Sequence, residues 1–255
     1  EAINKAKAQK PVYNVFAHDG SNHKIWIVNN KDQIEQMLSE INSMDSLFIA
    51  DGHHRSAAAA RVKEKFSKKN LNHDGNEDYN YFLAVAFPHS EMTILDYNRI
   101  IKGLNGQTIN SLISSIEKNY SVKKHSEEFK PATKNTFGMY IDKNWYELNA
   151  IKENINLNDP VKSLDVSILH DTIIEPLLGI YDERTDPRID FVGGARGLKE
   201  LENRVNNDNF DIAFALFPTP IEALIDVAEA NKVMPPKSTW FEPKLLDGLL
   251  SHLIN

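Results

Sequence analysis

The sequence predicts an α/β (α+β) fold, and three observations point to it. Short apolar runs alternate with segments of helical spacing in the first third, an unusually polar turn joins one such run to a helix, and the last third repeats the strand and helix alternation. With 255 residues, 41% hydrophobic and 25% charged, the chain can bury a core in one or two domains.

The elements follow in order. "PVYNVFAHD" is strand-like, "NHKIWIV" is a second strand after the turn "DGSN", and "KDQIEQMLSEINS" has helical spacing at Ile34, Met37, Leu38 and Ile41. "SLFIA" is short and buried in character, and after Asp51-Gly52 a helix is expected over Ser56 to Lys69. The polar loop "NLNHDGNEDYN" leads to the strand "YFLAVAFP", which places the turn near the carboxyl end of a strand, where α/β sheets carry ligands. In the middle, "TINSLISSIEKNYSVKK" reads as a helix, "KNTFGMYIDKNWYELNAI" as a two-strand hairpin, and "SLDVSILHDTIIEPLLGI" as a helix interrupted by Pro176. Then come the strand "RIDFVGG", the helix "ARGLKELENRVNN", the strand "DIAFALFP", the helix "PIEALIDVAEAN" and the segment "VMPPKSTWFEPKLLDGLLSHLI". The expected division is residues 1–105, carrying the turn, and 106–255, a carboxyl-terminal α/β region.

Composition narrows the function. The absence of cysteine removes disulfides, thiolate nucleophiles and cysteine-based zinc sites together. No run reaches the roughly 18 to 20 apolar residues of a membrane span, and the start lacks the order of a signal peptide, so a cytoplasmic location is expected. A net charge of -7, with no dense basic block beyond "KEKFSKK", disfavours general binding of DNA. A local basic pocket for a small anion stays open. The opening "EAINKAKAQ" reads as the tail of a helix, and a longer protein whose missing amino-terminal portion completes the site is the expectation.

The chemistry concentrates in "SLFIADGHHRSAAAARVKEKF". A glycine at the junction lets backbone approach a ligand, and the first turn of the following helix offers unpaired N–H groups and the positive end of a dipole. Arg55 adds a planar cation suited to phosphate oxygens, His53 and His54 add donors or a titratable group, and Ser56 caps the helix or touches a phosphate. Asp51 beside such a site can hold Mg²⁺ or take a proton from an attacking hydroxyl. The bland alternative is a capping aspartate followed by surface histidines. Zinc hydrolysis is disfavoured because adjacent His53 and His54 point apart, without the i, i+4 spacing of a zinc helix.

Further segments carry weaker signals. Asp96, Asn98 and Arg99 follow a short apolar run, and Arg99 is a candidate second cation, the alternative being a plain strand end. Gly193, Gly194 and Gly197 with Arg196 match no phosphate-loop pattern and read as a tight turn. In "MPPKSTWFEPK", Lys237, Ser238 and Thr239 form a donor cluster between rigid prolines and Trp240 and Phe241, which suits a pocket rim. His170 reads as a satisfied core histidine, and Trp26 and Trp145 as packing residues.

"LFIADGHHR", "MTILDYNRIIKGLNG" and "MPPKSTWFEPKLLDGLL" together resemble an uncharacterised prokaryotic family, the domain-of-unknown-function family "ten-fifteen", over nearly the whole chain. "DGHHR" followed by an alanine-rich helix is similar to the phosphate turn of the ParB/sulfiredoxin superfamily, and most of all to the D-G-x-H-R of its free-serine kinases. That resemblance implies a ParB/sulfiredoxin-like nucleotide-binding region, ATP or ADP with Mg²⁺ as cofactors, and a small-molecule kinase making O-phosphoserine from free L-serine. Carried over by position, it implies Asp51 at the substrate hydroxyl or the metal and Gly52, His53, His54 and Arg55 at the nucleotide phosphates. Joined to the residue readings above, the expected set is Asp51 and His54 as catalytic residues, Ser56 added at the phosphates, and Asn98, Arg99, Lys237, Ser238 and Thr239 at the substrate. The catalytic glutamate of those kinases has no counterpart that can be placed here, and is expected upstream of Glu1. The alternatives are a nucleotide-binding switch without turnover and a ParB-like DNA-associated protein; CTP as the nucleotide and a homo-oligomer stay open.

Overall fold

The computed structural model describes residues 2–156 and 158–254. Contacts divide the chain into two compact units, Glu1–Ala86 with Lys244–Asn255, and Phe87–Pro243. The boundary expected at residue 105 lies within the second unit, because Tyr97–Ile101 is a strand of that unit's sheet.

The first unit opens with α1 (Ala2–Lys7) and the antiparallel hairpin β1 (Tyr13–Phe16) and β2 (Asn22–Ile25). Helix α2 (Lys31–Asn42) starts where the Asn30 side chain accepts from the Gln33 N–H at 3.0 Å. Helix α3 (His53–Ser67) follows. It starts three residues before the expected Ser56, so both histidines and Arg55 lie in its first turn. "SLFIA" and "YFLAVAFP", expected as strands, join no ladder among the described residues, and Leu47, Phe48, Tyr81 and Phe82 are exposed. Strand propensity is realised only where a partner supplies the cross-strand hydrogen bonds. In consequence the turn follows an irregular segment, not the carboxyl end of a strand.

The second unit holds β3 (Thr93–Leu95), β4 (Tyr97–Ile101), α4 (Ile109–Ile116), β5 (Tyr120–His125), β6 (Thr136–Ile141), β7 (Asn144–Ala150), α5 (Asp165–Leu169), α6 (Glu175–Leu178), β8 (Ile189–Gly193), α7 (Leu198–Asn207), β9 (Ile212–Leu216), α8 (Ile221–Glu229) and β10 (Trp240–Glu242). Six strands form one sheet in the order β5-β7-β6-β9-β4-β8, every ladder antiparallel, and β10 pairs with β3. The architecture is therefore the α+β form of the expected class. The hairpin β6/β7 turns at Asp142 and Lys143, both at positive φ. The expected helix over "TINSLISSIEKNYSVKK" is α4 followed by the edge strand β5. Helices α5 and α6 are joined by a π-helical turn, His170–Ile174. Pro176 has no N–H to give to the carbonyl four residues back, and the widened turn accommodates that loss.

Alternation along β9 organises two cores, since successive side chains leave a strand on opposite faces. Ile212, Phe214 and Leu216 pack with Leu112, Ile116, Leu169, Ile173 and Val227 from α4, the α5–α6 region and α8. Ala213 and Ala215 face Tyr140, Trp145, Leu198 and Leu201, so α7 covers the opposite side. The small residues of β9 leave room for Trp145, and Gly138 does the same from β6: a Cβ there would lie 2.7 Å from the Phe129 carbonyl and 3.2 Å from the Trp145 ring. No helix of the described residues is long and apolar enough to cross a membrane.

Gly138→Ala is expected to lower stability by about 1–3 kcal/mol, the usual penalty of overpacking a close-packed core. Chemical denaturation checks it, and an unchanged midpoint would show that the strand shifts freely.

Candidate functional site

The turn in the first unit is built by its glycine. Gly52 has φ 87° and ψ 22°, the left-handed region, and serves as the N-cap of α3 without a side-chain cap. Its carbonyl accepts from the Ser56 N–H at 2.9 Å, which closes the first helical turn. A capping serine, threonine or aspartate would normally satisfy one of the first-turn N–H groups from this position; here no side chain at the N-cap does so. Asp51 instead turns back on the loop, its Oδ1 accepting from the Gly52 N–H at 2.6 Å. Arg55 folds over the glycine, where a Cβ would lie 3.3 Å from its guanidinium. His53, His54 and Arg55 are exposed, and Ser56 is half-buried.

Two cations flank Asp51. Lys244, from the carboxyl-terminal segment of the same unit, donates to Oδ2 at 3.2 Å, and Arg55 lies 3.9 Å from Oδ1. Partial burial works against ionisation of Asp51, but the hydrogen bonds from Lys244 and the Gly52 N–H, with the two positive charges, hold its carboxyl below the usual aspartate range. The turn therefore combines an ionised acid, two exposed cations, two imidazoles and the amino end of a 15-residue helix. That set can hold an anion and position an acid beside it. Sequence reasoning missed Lys244 as a member of this turn; its signal was the segment "FEPKLLDG".

The residues expected at the substrate form a group in the second unit. Arg99 is fully buried on β4, where alternation calls for an apolar residue, directly opposite Phe214 of β9. Its guanidinium donates to the carbonyls of Tyr97 at 2.6 Å and Lys237 at 3.1 Å, reaches Glu183 Oε2 at 3.4 Å, and lies 5.4 Å from the Phe191 ring centroid. Burial pulls the Arg99 pKa down and Glu183 opposes it, yet a guanidinium in a protein stays charged. Glu183 bonds His170 through its other oxygen at 3.1 Å. That bond, against the effect of burial, raises the His170 pKa, with Asp171 and Glu175 adding to it.

The neighbours of Arg99 are equally committed to the fold. Asn98 is buried between Asp96, to which it donates at 2.5 Å, and the Leu216 N–H, which it accepts at 3.0 Å. Ser238 is buried and donates to the Pro235 carbonyl, while its own carbonyl accepts from Thr219. Lys237 is exposed at φ 54° with its ammonium 5.5 Å from the Tyr97 ring centroid, and Thr239 is half-buried. Arg99 thus meets the carbonyls of Pro236 and Lys237, and these contacts hold that segment onto β4.

Gly193 and Gly194 of "DFVGGARG" have the same kind of reason. A Cβ at Gly193 would lie 2.5 Å from the Trp240 ring, and one at Gly194 would overlap the Asp96 carboxyl. Trp240 packs there, with Tyr97 at 5.4 Å in an edge arrangement. His170, Asp171 and Glu175 offer ligand atoms within 4.8 Å of one another, but Lys162 pairs with Asp171 at 2.6 Å and Glu183 takes His170.

Among the described residues, the second unit has a groove and a small cavity. The groove, of about 580 Å³, is lined by Trp145, Glu202 and Lys199 among others. The cavity, of about 50 Å³, is lined by Lys134, Ser163, Asp165 and Thr219. Asp165 accepts from the Asn135 N–H at 3.0 Å through Oδ1, while its Oδ2 is buried without a partner. Burial pushes its carboxyl up to about 6, opposed by the Asn135 N–H and Lys134.

A model of one family matches residues 1–167, and its description is protein of unknown function, DUF1015. The chain belongs to that family. The match contains the Asp51 turn and "MTILDYNRIIKGLNG", two of the three segments on which membership was expected. No curated protein matches the chain. Among solved structures, a mutant free serine kinase in complex with AMP is 15% identical over 79% of this chain and 70% of its own, at a TM-score of 0.40. A free serine kinase in complex with AMP is 14% identical over 84% and 81%, at 0.39. A conserved hypothetical protein from Pyrococcus furiosus is 15% identical over 88% and 86%, at 0.40.

Glu183→Gln leaves Arg99 buried without its counter-charge and is expected to cost about 3–5 kcal/mol, with the His170 titration moving to lower pH. Thermal melting and imidazole NMR check it, and a variant as stable as the parent would remove the pair from the account. For Asp165 the sign runs the other way from an ordinary ion-paired acid. A folded pKa above the unfolded value means that its contribution favours the fold below about pH 4 and is lost as pH rises to about 6. Asp165→Asn is expected to remove that slope and to gain up to about 3 kcal/mol at pH 7, read from urea midpoints between pH 4 and 8.

Proposed function

We propose that the chain is a nucleotide-dependent kinase for a small hydroxylated metabolite, with free L-serine as acceptor and O-phosphoserine as product, working in the cytoplasm. The observation that carries the reading is the Asp51 turn: a left-handed glycine opening a long helix, without a side-chain cap, beside Arg55, two histidines and an ionised carboxylate. Phosphate recognition uses this combination because backbone N–H groups, the helix dipole and a guanidinium act together on the same oxygens.

In this reading Gly52, His53, His54, Arg55 and Ser56 hold the phosphates of ATP or ADP. Asp51 receives the proton of the acceptor hydroxyl as its oxygen attacks the terminal phosphorus, the bond to the leaving nucleotide oxygen breaks, and His54 donates to that oxygen. One carboxylate with substrate phosphates is an ordinary ligand set for Mg²⁺, so Asp51 Oδ2 would hold the ion, which offsets phosphate charge when bound. Gly52 keeps the backbone close to the ligand, and a side chain there would press on Arg55.

The test is calorimetric titration of ATP, ADP and CTP with Mg²⁺ into the chain and into an Arg55→Ala, His54→Ala variant, followed by phosphorus NMR with serine as acceptor. Micromolar binding that the variant loses by at least tenfold, with O-phosphoserine formed, is the expected result. Binding without transfer to serine or any small alcohol would favour a nucleotide-sensing switch, and no binding by the parent chain would overturn the nucleotide reading.

A further inference from the structure

Asp51 is held from two directions. Its Oδ1 is committed locally, to the Gly52 N–H at 2.6 Å with Arg55 at 3.9 Å, whereas its Oδ2 is met by a side chain 193 positions away, Lys244 at 3.2 Å. A carboxylate bonded through one oxygen can still rotate, but one bonded through both is fixed in plane and direction. Both side chains of the pair remain accessible to a ligand, Lys244 at 46% and Asp51 at 57% exposure. Among the described residues, the charges that act on Asp51 are those of Lys244 and Arg55, both cationic.

We infer that Lys244 is a positioning residue of the phosphate turn, holding the Asp51 carboxylate in place at the entrance of α3. The role rests on the nucleotide reading above. A lysine suits it better than a second arginine-like fork would, because a single point charge on a flexible stem can leave Oδ2 when Mg²⁺ or a hydroxyl arrives and turn to a phosphate oxygen instead. Lys244 therefore keeps the acid aimed before the ligand binds, and is replaced at Oδ2 by the ligand's own cation or proton donor.

The experiment compares the parent chain with Lys244→Met, Lys244→Arg and Arg55→Ala, reading the Asp51 carboxyl carbon by NMR titration and the affinity for Mg²⁺ and ADP by calorimetry. Expected are an Asp51 titration moved to higher pH in Lys244→Met, affinity for ADP lower by about tenfold, and recovery of most of both in Lys244→Arg. A merely structural lysine would lower the melting temperature without moving the Asp51 titration. If Arg55→Ala weakens ADP while Lys244→Met moves neither signal, the positioning role is overturned and the nucleotide reading stands. If the parent chain does not bind ADP, the nucleotide reading fails and the role falls with it, even where Lys244→Met still shifts Asp51.

Discussion

The second unit depends on one buried charge. Arg99 occupies a position on β4 that the strand's alternation reserves for an apolar side chain, and it is tolerated there because carbonyls, a carboxylate and an aromatic ring surround it. Those partners come from far apart in sequence: Tyr97 on the same strand, Glu183 before β8, Phe191 on β8, and the Pro236–Lys237 segment before β10. A guanidinium can do this because its planar fork donates in several directions at once. Its Nε is still left without a partner in the interior, which makes the arrangement expensive to disturb.

The polar groups around Arg99 and around Asp51 therefore work on different principles. The polar atoms of Arg99, Glu183, Asn98 and Ser238 are enclosed and bonded within the protein, and those of Arg99 fix a loop onto a sheet. Around Asp51 the polar atoms are exposed and face outward, where a ligand can compete for them. Burial separates the two cases: an enclosed polar group must find its partners within the protein, and an exposed one is free to exchange them.

The unusual residues of the turn were legible because each acts locally. The glycine that adopts positive φ, the helix that follows it and the charges in its first turn lie within six residues, Asp51 to Ser56, and local backbone chemistry does not wait for the rest of the fold. The hairpin "FGMYIDKNWYEL" and the helices α7 and α8 were legible for the same reason, since period and turn residues specify them. The apolar runs "SLFIA" and "YFLAVAFP" were misread because a strand is a property of a pair, and one run cannot report whether its partner is present.

By itself the sequence determined the mixed class, the family through its segments, and a helix opened by an acid, a glycine, two histidines and an arginine. Tertiary structure alone decided that the sheet is antiparallel, that Arg99 and Asn98 are enclosed fold-holding groups, and that Lys244 returns to Asp51. The physical reason is range. Helix caps and turns are settled by neighbours a few bonds away, whereas strand pairing, burial and an ion pair spanning 193 positions exist only after distant chain segments have been brought together.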